Sequence, residues 1–498
     1  MSRVVRAAPA DAAAETLARV RDDMSADSAA AFVRIATDYL AAAAGGAGDV
    51  SPATVAESFE FDPDAGPQSL ERVLEELERF VVDGANRLWH PMYMGHQVAA
   101  PLPAAIWTEP VIAALNQSIA VREMSPSATP IERALIGWMC RLVWDDDAGA
   151  AWGTFTSGGT EAIFTSLLAA RNAALPEAAE QGLRGPAAIV CGEHAHYAVR
   201  RAAGQLGLGS HGAVLVPSAR SRMDLDALRG TLDDLSARGV PVVAVVATAG
   251  STATGAFDEL ERIGAMCEQR DVWLHVDAAH GGSALLSARH RHRLAGIRYA
   301  HSVSWDPHKM MLMPLPAGVV LVRDARRLAG AFTQDAPYLF GEGAGAGVGA
   351  GAAAAAGVGA GAEQGMRSFM CSRRADAVKV WVALRRYGVD GMAALYDGLC
   401  DRTSELHGLL AERRDFEVLH EPECNILCFR YVGAPRLPDA ELDALNLSLR
   451  EKYNASGEGW ITTTVLDGRR VLRTVIMNPL TTREHLERLI GALAAGPS

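Results

Sequence analysis

The chain has 498 residues, 49% apolar and 21% charged, which is enough for two or three domains around a large core. A formal net charge of -12 without any lysine- or arginine-rich block excludes the footprint of a nucleic-acid binder, and no apolar run is long enough to span a membrane. Asp11 and Glu15 stand where a signal peptide would need its apolar core, so a cytoplasmic protein is expected.

Residues 1–88 are Ala-rich and helical in pattern, notably Ala29 to Ala44 and Leu70 to Val82, with turn-forming glycines and prolines between them. Helices this poor in a core of their own pack on something else, and a partner subunit is the natural surface. The chain then changes character at His90-Pro-Met-Tyr-Met-Gly-His96-Gln97, runs on through Leu115-Asn-Gln-Ser118, and enters an amphipathic helix from Ile131 to about Trp144. Next comes Thr156-Ser157-Gly158-Gly159-Thr160-Glu161 before another helical pattern. Glycines that admit an anion to the backbone, followed by the free N–H groups of a helix start, make a phosphate cradle. Walker spacing and its terminal lysine are absent, which disfavours nucleotide hydrolysis.

Short, Val-rich apolar runs then alternate with helical patterns: Ala188 to Cys191, Ala213 to Val216, Pro241 to Thr248, Val272 to Val276, His301 to Trp305 and Gly318 to Arg323. This predicts an α/β fold with a mostly parallel sheet covered on both faces. His196 follows the first of these strands, placed to lie over a flat ring at the sheet's edge, and a small-residue loop with Thr252 follows the third. The fourth strand ends in Asp277, within His275-Val-Asp-Ala-Ala-His280-Gly-Gly, and Lys309 follows the fifth in Trp305-Asp306-Pro-His308-Lys309. Ligands of open α/β sheets sit outside the carboxyl ends of the strands. An Asp and a Lys delivered there suit pyridoxal 5'-phosphate, the lysine as Schiff-base partner and the acid facing the pyridinium nitrogen.

Residues 341–365 form a Gly/Ala segment that is expected to be mobile, either a spacer or, the favoured reading, an active-site lid. Beyond the helix Arg373 to Tyr387 a smaller α/β unit closes the chain, with β-like Phe416 to Leu419, Asn425 to Tyr431 and the run from Val471. Arg473 interrupts that last apolar run, and a buried guanidinium there calls for either a structural carboxylate or a substrate carboxylate. The seven scattered cysteines read as reduced core thiols, and the pairs His194/His196 and His290/His292 lack the ligands to complete a metal site, so none is expected.

Together, His-Val-Asp-Ala-Ala-His-Gly-Gly, Asp-Pro-His308-Lys309, Thr-Ser-Gly-Gly-Thr-Glu-Ala, His196 and Arg473 with Asn478-Pro479 resemble the group II pyridoxal-phosphate amino-acid decarboxylases over about residues 85–490. That family acts on glutamate, aspartate, cysteine sulfinate, aromatic and some diamino acids. The resemblance implies the aspartate-aminotransferase-like fold (fold type I) and a homodimer with interface active sites. It divides the chain into an N-terminal helical segment wrapping the dimer (1–88), a large cofactor-binding domain (89–385) and a small C-terminal α/β domain (386–498). It implies Lys309 as the Schiff-base lysine, Asp277 on the pyridine nitrogen, His196 stacked on the ring, and a phosphate loop of Ser157, Gly158, Gly159 and Thr160 with Thr252, Asp306 and His308 nearby. Arg473 takes the α-carboxylate, and His96 and Ser118 face the substrate.

The implied reaction is decarboxylation of an L-amino acid to its amine through external aldimine and quinonoid states. Relatives carry a lid tyrosine that assists protonation, and the Gly/Ala segment has none. His196 or another acid then supplies the proton, or the same cofactor supports oxidative deamination or transamination. His96 stands where glutamate decarboxylases have Gln, and Ala120 where they have an aromatic residue. The lean is toward aspartate or glutamate, with aromatic and diamino acids as alternatives.

Overall fold

The computed structural model describes residues 10–46, 48–50, 66–332, 363–433 and 435–495. A seven-stranded sheet is built from β1 (Trp152–Thr156), β2 (Ala188–Gly192), β3 (Ala213–Val216), β4 (Val242–Thr248), β5 (Trp273–Asp277), β6 (Ser302–Trp305) and β7 (Gly318–Val322), in the order β1-β7-β6-β5-β4-β2-β3. Its strands are near-continuous apolar runs because both faces are covered. In β4, Ala244 and Val246 join a cluster under the helix Gly159–Ala174, while Val245 and Ala247 face the larger core on the other side.

β2 to β6 pair in parallel as expected, but β7 is antiparallel to both of its neighbours, β6 and β1. Its alternation-free sequence carries no directional signal. The reversal matters, since it brings the start of β7 to the end of the sheet where β1, β4, β5 and β6 finish. β1 itself escaped the reading, because Gly153, Thr154 and Thr156 do not look like a buried strand. Gly153 is required there, since a Cβ would lie 2.4 Å from the Val320 carbonyl oxygen.

A second, antiparallel sheet contains β8 (Phe416–Val418), β9 (Ile426–Tyr431), β10 (Thr462–Leu466) and β11 (Arg469–Val475), in the order β8-β9-β11-β10. The threonines of β10 hid it in the sequence. The stretch after His90 lies against this sheet: Met94 N–H donates to the Trp460 carbonyl and Val475 N–H to that of Met94. The helix Ala377–Ala411 is broken at Gly388, whose φ of 71° favours glycine, close to the expected domain boundary at 385. The Gly/Ala segment lies outside the described residues up to Gly361-Ala362, and its end is anchored, Glu363 accepting from Arg122 N–H at 2.7 Å.

Glu132 and Arg373, both buried, form a two-pronged ion pair at 2.6 and 2.7 Å between the helix Ala128–Trp144 and the segment leading into the helix Ala377–Ala411. Breaking one side of such a pair strands a charge in the interior. Glu132→Ala is expected to lower the unfolding free energy by about 3–5 kcal/mol, measured as a shift in the denaturation midpoint, and the double variant Glu132→Ala/Arg373→Met should recover part of the loss.

Candidate active site

β5 ends on Asp277, which is buried, and Asp277 Oδ1 accepts from Ser304 Oγ at 2.8 Å and Ala279 N–H at 3.2 Å. The neighbouring strand β6 runs out into Asp306-Pro-His308-Lys309. Asp306 N–H donates to the Ala279 carbonyl, and His308 is held at both ends, its N–H on the Ala317 carbonyl and its Nδ1 accepting from Ala317 N–H at 3.1 Å. Asp306 Oδ2 lies 3.1 Å from Lys309 Nζ and 3.4 Å from His308 Nε2, and accepts from Gly159 N–H at 3.0 Å. Burial opposes ionisation of Asp306, but Lys309 and His308 outweigh it and hold the carboxyl below its usual range.

The phosphate-type turn lies directly opposite. Gly158 has a φ of 153° and precedes a helix, Gly159–Ala174, that has no side-chain cap; with Gly159 N–H taken by Asp306, the N–H groups of Thr160 and Glu161 are left for a ligand. A Cβ on Gly158 would sit 3.1 Å from His308 Cε1, and one on Gly159 3.1 Å from Asp306 Oδ2, so side chains here would fill the cradle. His196 is half-buried with Nδ1 accepting from Ala198 N–H at 3.3 Å, and burial followed by Lys309 pushes its pKa below 6.5 against the pull of Asp277 and Asp306.

Ser157, Gly158, Gly159, Thr160, His196, Thr252, Asp277, Asp306, His308 and Lys309, named from sequence, all line one cavity of about 370 Å³ at this end of the sheet. Thr248, Gly250, Tyr197, His280, Ile163 and Leu315 line it too and were missed. His280 stood in plain view inside the Asp277 motif, whereas Ile163 and Leu315 carry no chemical signal. The donor set fits pyridoxal phosphate: open helix amides and hydroxyls for a phosphate, an amine for the aldehyde, and an oriented carboxylate for a ring nitrogen. Among the described residues no group of three or more His, Cys, Asp or Glu side chains is arranged to hold a metal.

The residues expected around the substrate are less gathered. Arg473 is buried, with Nη2 donating to the Thr252 carbonyl at 2.6 Å, Nε to that of Ala253 at 3.1 Å, and Nη1 to that of Gly95 at 3.3 Å. Among the described residues no carboxylate pairs with it, so the structural salt bridge is not its partner. His96 is exposed beside it, and after burial the charges of Arg473 and Arg450 lower its pKa. Ser118 is half-buried, its Oγ accepting from Ala120 N–H at 3.3 Å. None of His96, Ser118 and Arg473 lines the 370 Å³ cavity. Arg450, half-buried on the helix Asp439–Ala455 and donating to the Ile461 carbonyl at 3.4 Å, carries no signal in the sequence.

A family model described as the pyridoxal-dependent decarboxylase conserved domain matches residues 52–432. The chain is 33% identical over 423 residues to L-2,4-diaminobutyrate decarboxylase of Rhizobium meliloti (strain 1021), covering 84% of this chain and 80% of that protein. It is 31% identical over 418 residues to the acidic amino acid decarboxylase GADL1 of Mus musculus, covering 81% and 72%. Its fold superimposes on the crystal structure of mouse CSAD with a TM-score of 0.84 at 26% identity, covering 95% of this chain and 99% of that one.

Two fully buried imidazoles border the site. Burial above all pushes His275 down to about 4 and His280 to about 3, so both are neutral at pH 7. An unfolded histidine takes up its proton near 6.5, so below that pH the unfolded state binds more protons and stability falls with pH. Their contribution is complete above pH 6.5 and is lost on acidification toward 4, at about 1.4 kcal/mol per pH unit per imidazole. Denaturation midpoints between pH 7 and 4.5 should follow that slope, and His275→Asn should flatten it by about one proton.

Proposed function

Because this chain belongs to the pyridoxal-dependent decarboxylase family, we propose that within that activity it removes the α-carboxyl group of an acidic L-amino acid, aspartate or glutamate. Bound pyridoxal phosphate supplies an electron sink for the pair left behind when the carboxylate departs as carbon dioxide. Ser157 to Thr160 and the helix N–H groups would hold its phosphate, and Lys309 would carry its aldehyde carbon. Asp277, fixed by Ser304 and Ala279, is oriented to hold a proton on the ring nitrogen. His196 presents an imidazole beside Lys309 and Asp277, with Nδ1 occupied as an acceptor, so the neutral ring keeps its proton on Nε2. We assign Nε2 as the proton donor to the substrate's α-carbon, acting in the ring's transiently protonated form, which returns to the neutral imidazole as the proton is given up.

The carrying observation for an acidic substrate is a pair of guanidiniums near His96, Arg473 donating to the Gly95 carbonyl at 3.3 Å and Arg450 to that of Ile461 at 3.4 Å, that pair with no carboxylate among the described residues. Two unpaired cations around a neutral imidazole match a ligand with two acid groups. Arg473 takes the α-carboxylate and Arg450 the field around the side-chain acid. The likeness to a mouse acidic amino acid decarboxylase supports this reading. The 33% identity to a diaminobutyrate decarboxylase favours a second one, a substrate with a distal amine.

We also infer a homodimer. Leu17 and Val20 of the helix Ala10–Asp23, Met24 in the turn after it, and Phe32 of the helix Ala26–Ala44 are exposed, an apolar surface that a second copy would cover. Light scattering should give twice the chain mass, and removal of residues 1–45 should release monomers.

The cofactor-loaded protein should release carbon dioxide from L-aspartate or L-glutamate in preference to L-2,4-diaminobutyrate and aromatic amino acids, with one amine per carbon dioxide. Lys309→Ala should abolish release, and His196→Asn should lower kcat by about 10²–10⁴-fold. Preference for the diamino acid would move the assignment to the second reading, and hydrogen peroxide in place of amine would overturn simple decarboxylation.

A further inference from the structure

His280 lines the cofactor cavity yet is 3% exposed, and its bonding pattern is over-determined. His280 Nε2 lies 2.7 Å from Asn425 Oδ1. The Asn425 amide nitrogen is committed to the Ile476 carbonyl at 2.9 Å and Met477 Sδ at 3.0 Å, so its oxygen accepts and His280 Nε2 donates. His280 Nδ1 is then a bare acceptor, and it is buried without a partner among the described residues. A buried acceptor left without a donor is costly, which is not what packing alone would select.

The bond also joins two elements that matter. His280 stands three residues after Asp277, on a turn locked to its surroundings by Gly281 N–H donating to the Ala249 carbonyl and Ala249 N–H to that of Asp277. Gly250, with a φ of 86°, lets that turn close, since a Cβ there would come within 2.8 Å of Gly281 N. Asn425 immediately precedes β9, the strand beside β11, and Ile476 N–H, three residues beyond Arg473, donates to its carbonyl. Arg473 reaches back to the Thr252 and Ala253 carbonyls of the loop that follows Gly250. The circuit is closed: Asp277 turn, His280, Asn425, the end of β11, Arg473, the Thr252 loop, and the Asp277 turn again.

We infer that His280 is a positioning residue whose bond to Asn425 sets the separation between the carboxylate that orients the cofactor and the guanidinium that receives the substrate. This rests on the reading of Arg473 as the α-carboxylate site. An imidazole suits the place because burial and the charges of Lys309 and Arg473 keep it neutral, so it donates to Asn425 without repelling either cation.

The test uses substitutions that retain one nitrogen at a time: a Gln amide reproduces the Nε2 donor, an Asn oxygen the Nδ1 acceptor. In the cofactor-loaded enzyme, KM for the preferred substrate and the Kd of glutarate and succinate, unreactive diacids titrated calorimetrically, are compared. We expect both to rise about tenfold in His280→Phe and His280→Asn, with kcat changed less than about threefold, and His280→Gln to stay within about threefold of the parent. Should His280→Phe not fold, the Gln and Asn variants carry the comparison. Equal constants for those two, at parental or at weakened values, overturn the proposal. Arg473→Gln separates the underlying reading: unchanged diacid binding there removes the carboxylate site and the inference with it, whereas weakened binding there with a parental His280→Asn removes the inference alone.

Discussion

One buried carboxylate oxygen organises the site. Asp306 Oδ2 takes the Gly159 N–H, lies against Lys309 Nζ and faces His308, so the lysine segment after β6 and the helix start after β1 meet on a single atom. A charge this deep is tolerable only while surrounded by donors and cations, and the arrangement supplies both. Gly159 follows from it, because any side chain there would crowd that oxygen. So does the depth of the cradle. The anion-binding amides are drawn toward the lysine by the same carboxylate that holds the lysine in place.

The second constraint is the meeting of two sheets of different kind. The parallel strands deliver Asp277, Lys309 and the glycine turn to one edge, while the antiparallel sheet delivers Arg473 across the gap. Arg473 keeps its charge in a buried place by donating to three backbone carbonyls, whose dipoles stabilise a cation without neutralising it. A guanidinium held in that way remains attractive to an anion. A carboxylate partner would have cancelled the attraction, so the absence of one among the described residues is itself a chemical property of the pocket.

Legibility in the sequence tracked how unusual each residue's requirement is. Asp277, Lys309 and the Ser157-Gly158-Gly159 turn could be read because few structural roles put those residue types at strand ends with that spacing. Most of the parallel strands could be read because burial on both faces favours runs rich in Val, Ile, Leu and Ala. β1 and β10 could not, since glycine and threonine satisfy local packing there without looking apolar. The direction of β7 is a long-range property, set by pairing with β1 from more than 160 residues earlier in the chain. The Glu132 and Arg373 pair, separated by 241 positions, is invisible for the same reason. Arg450 looks like any solvated arginine until the fold carries it toward His96.

The reversed β7 has a consequence for how the lysine can work. Because β7 starts beside the site, Ala317 grips His308 through both of its polar atoms, Leu312 N–H caps the Lys309 carbonyl, and Met313 N–H holds that of Pro307. The main chain of the lysine segment is thus bolted down on both sides, and only the four-carbon arm is free to turn. Lys309 can therefore let go of one bonding partner and take another by swivelling like a crane on a fixed footing, with no rearrangement of the protein around it.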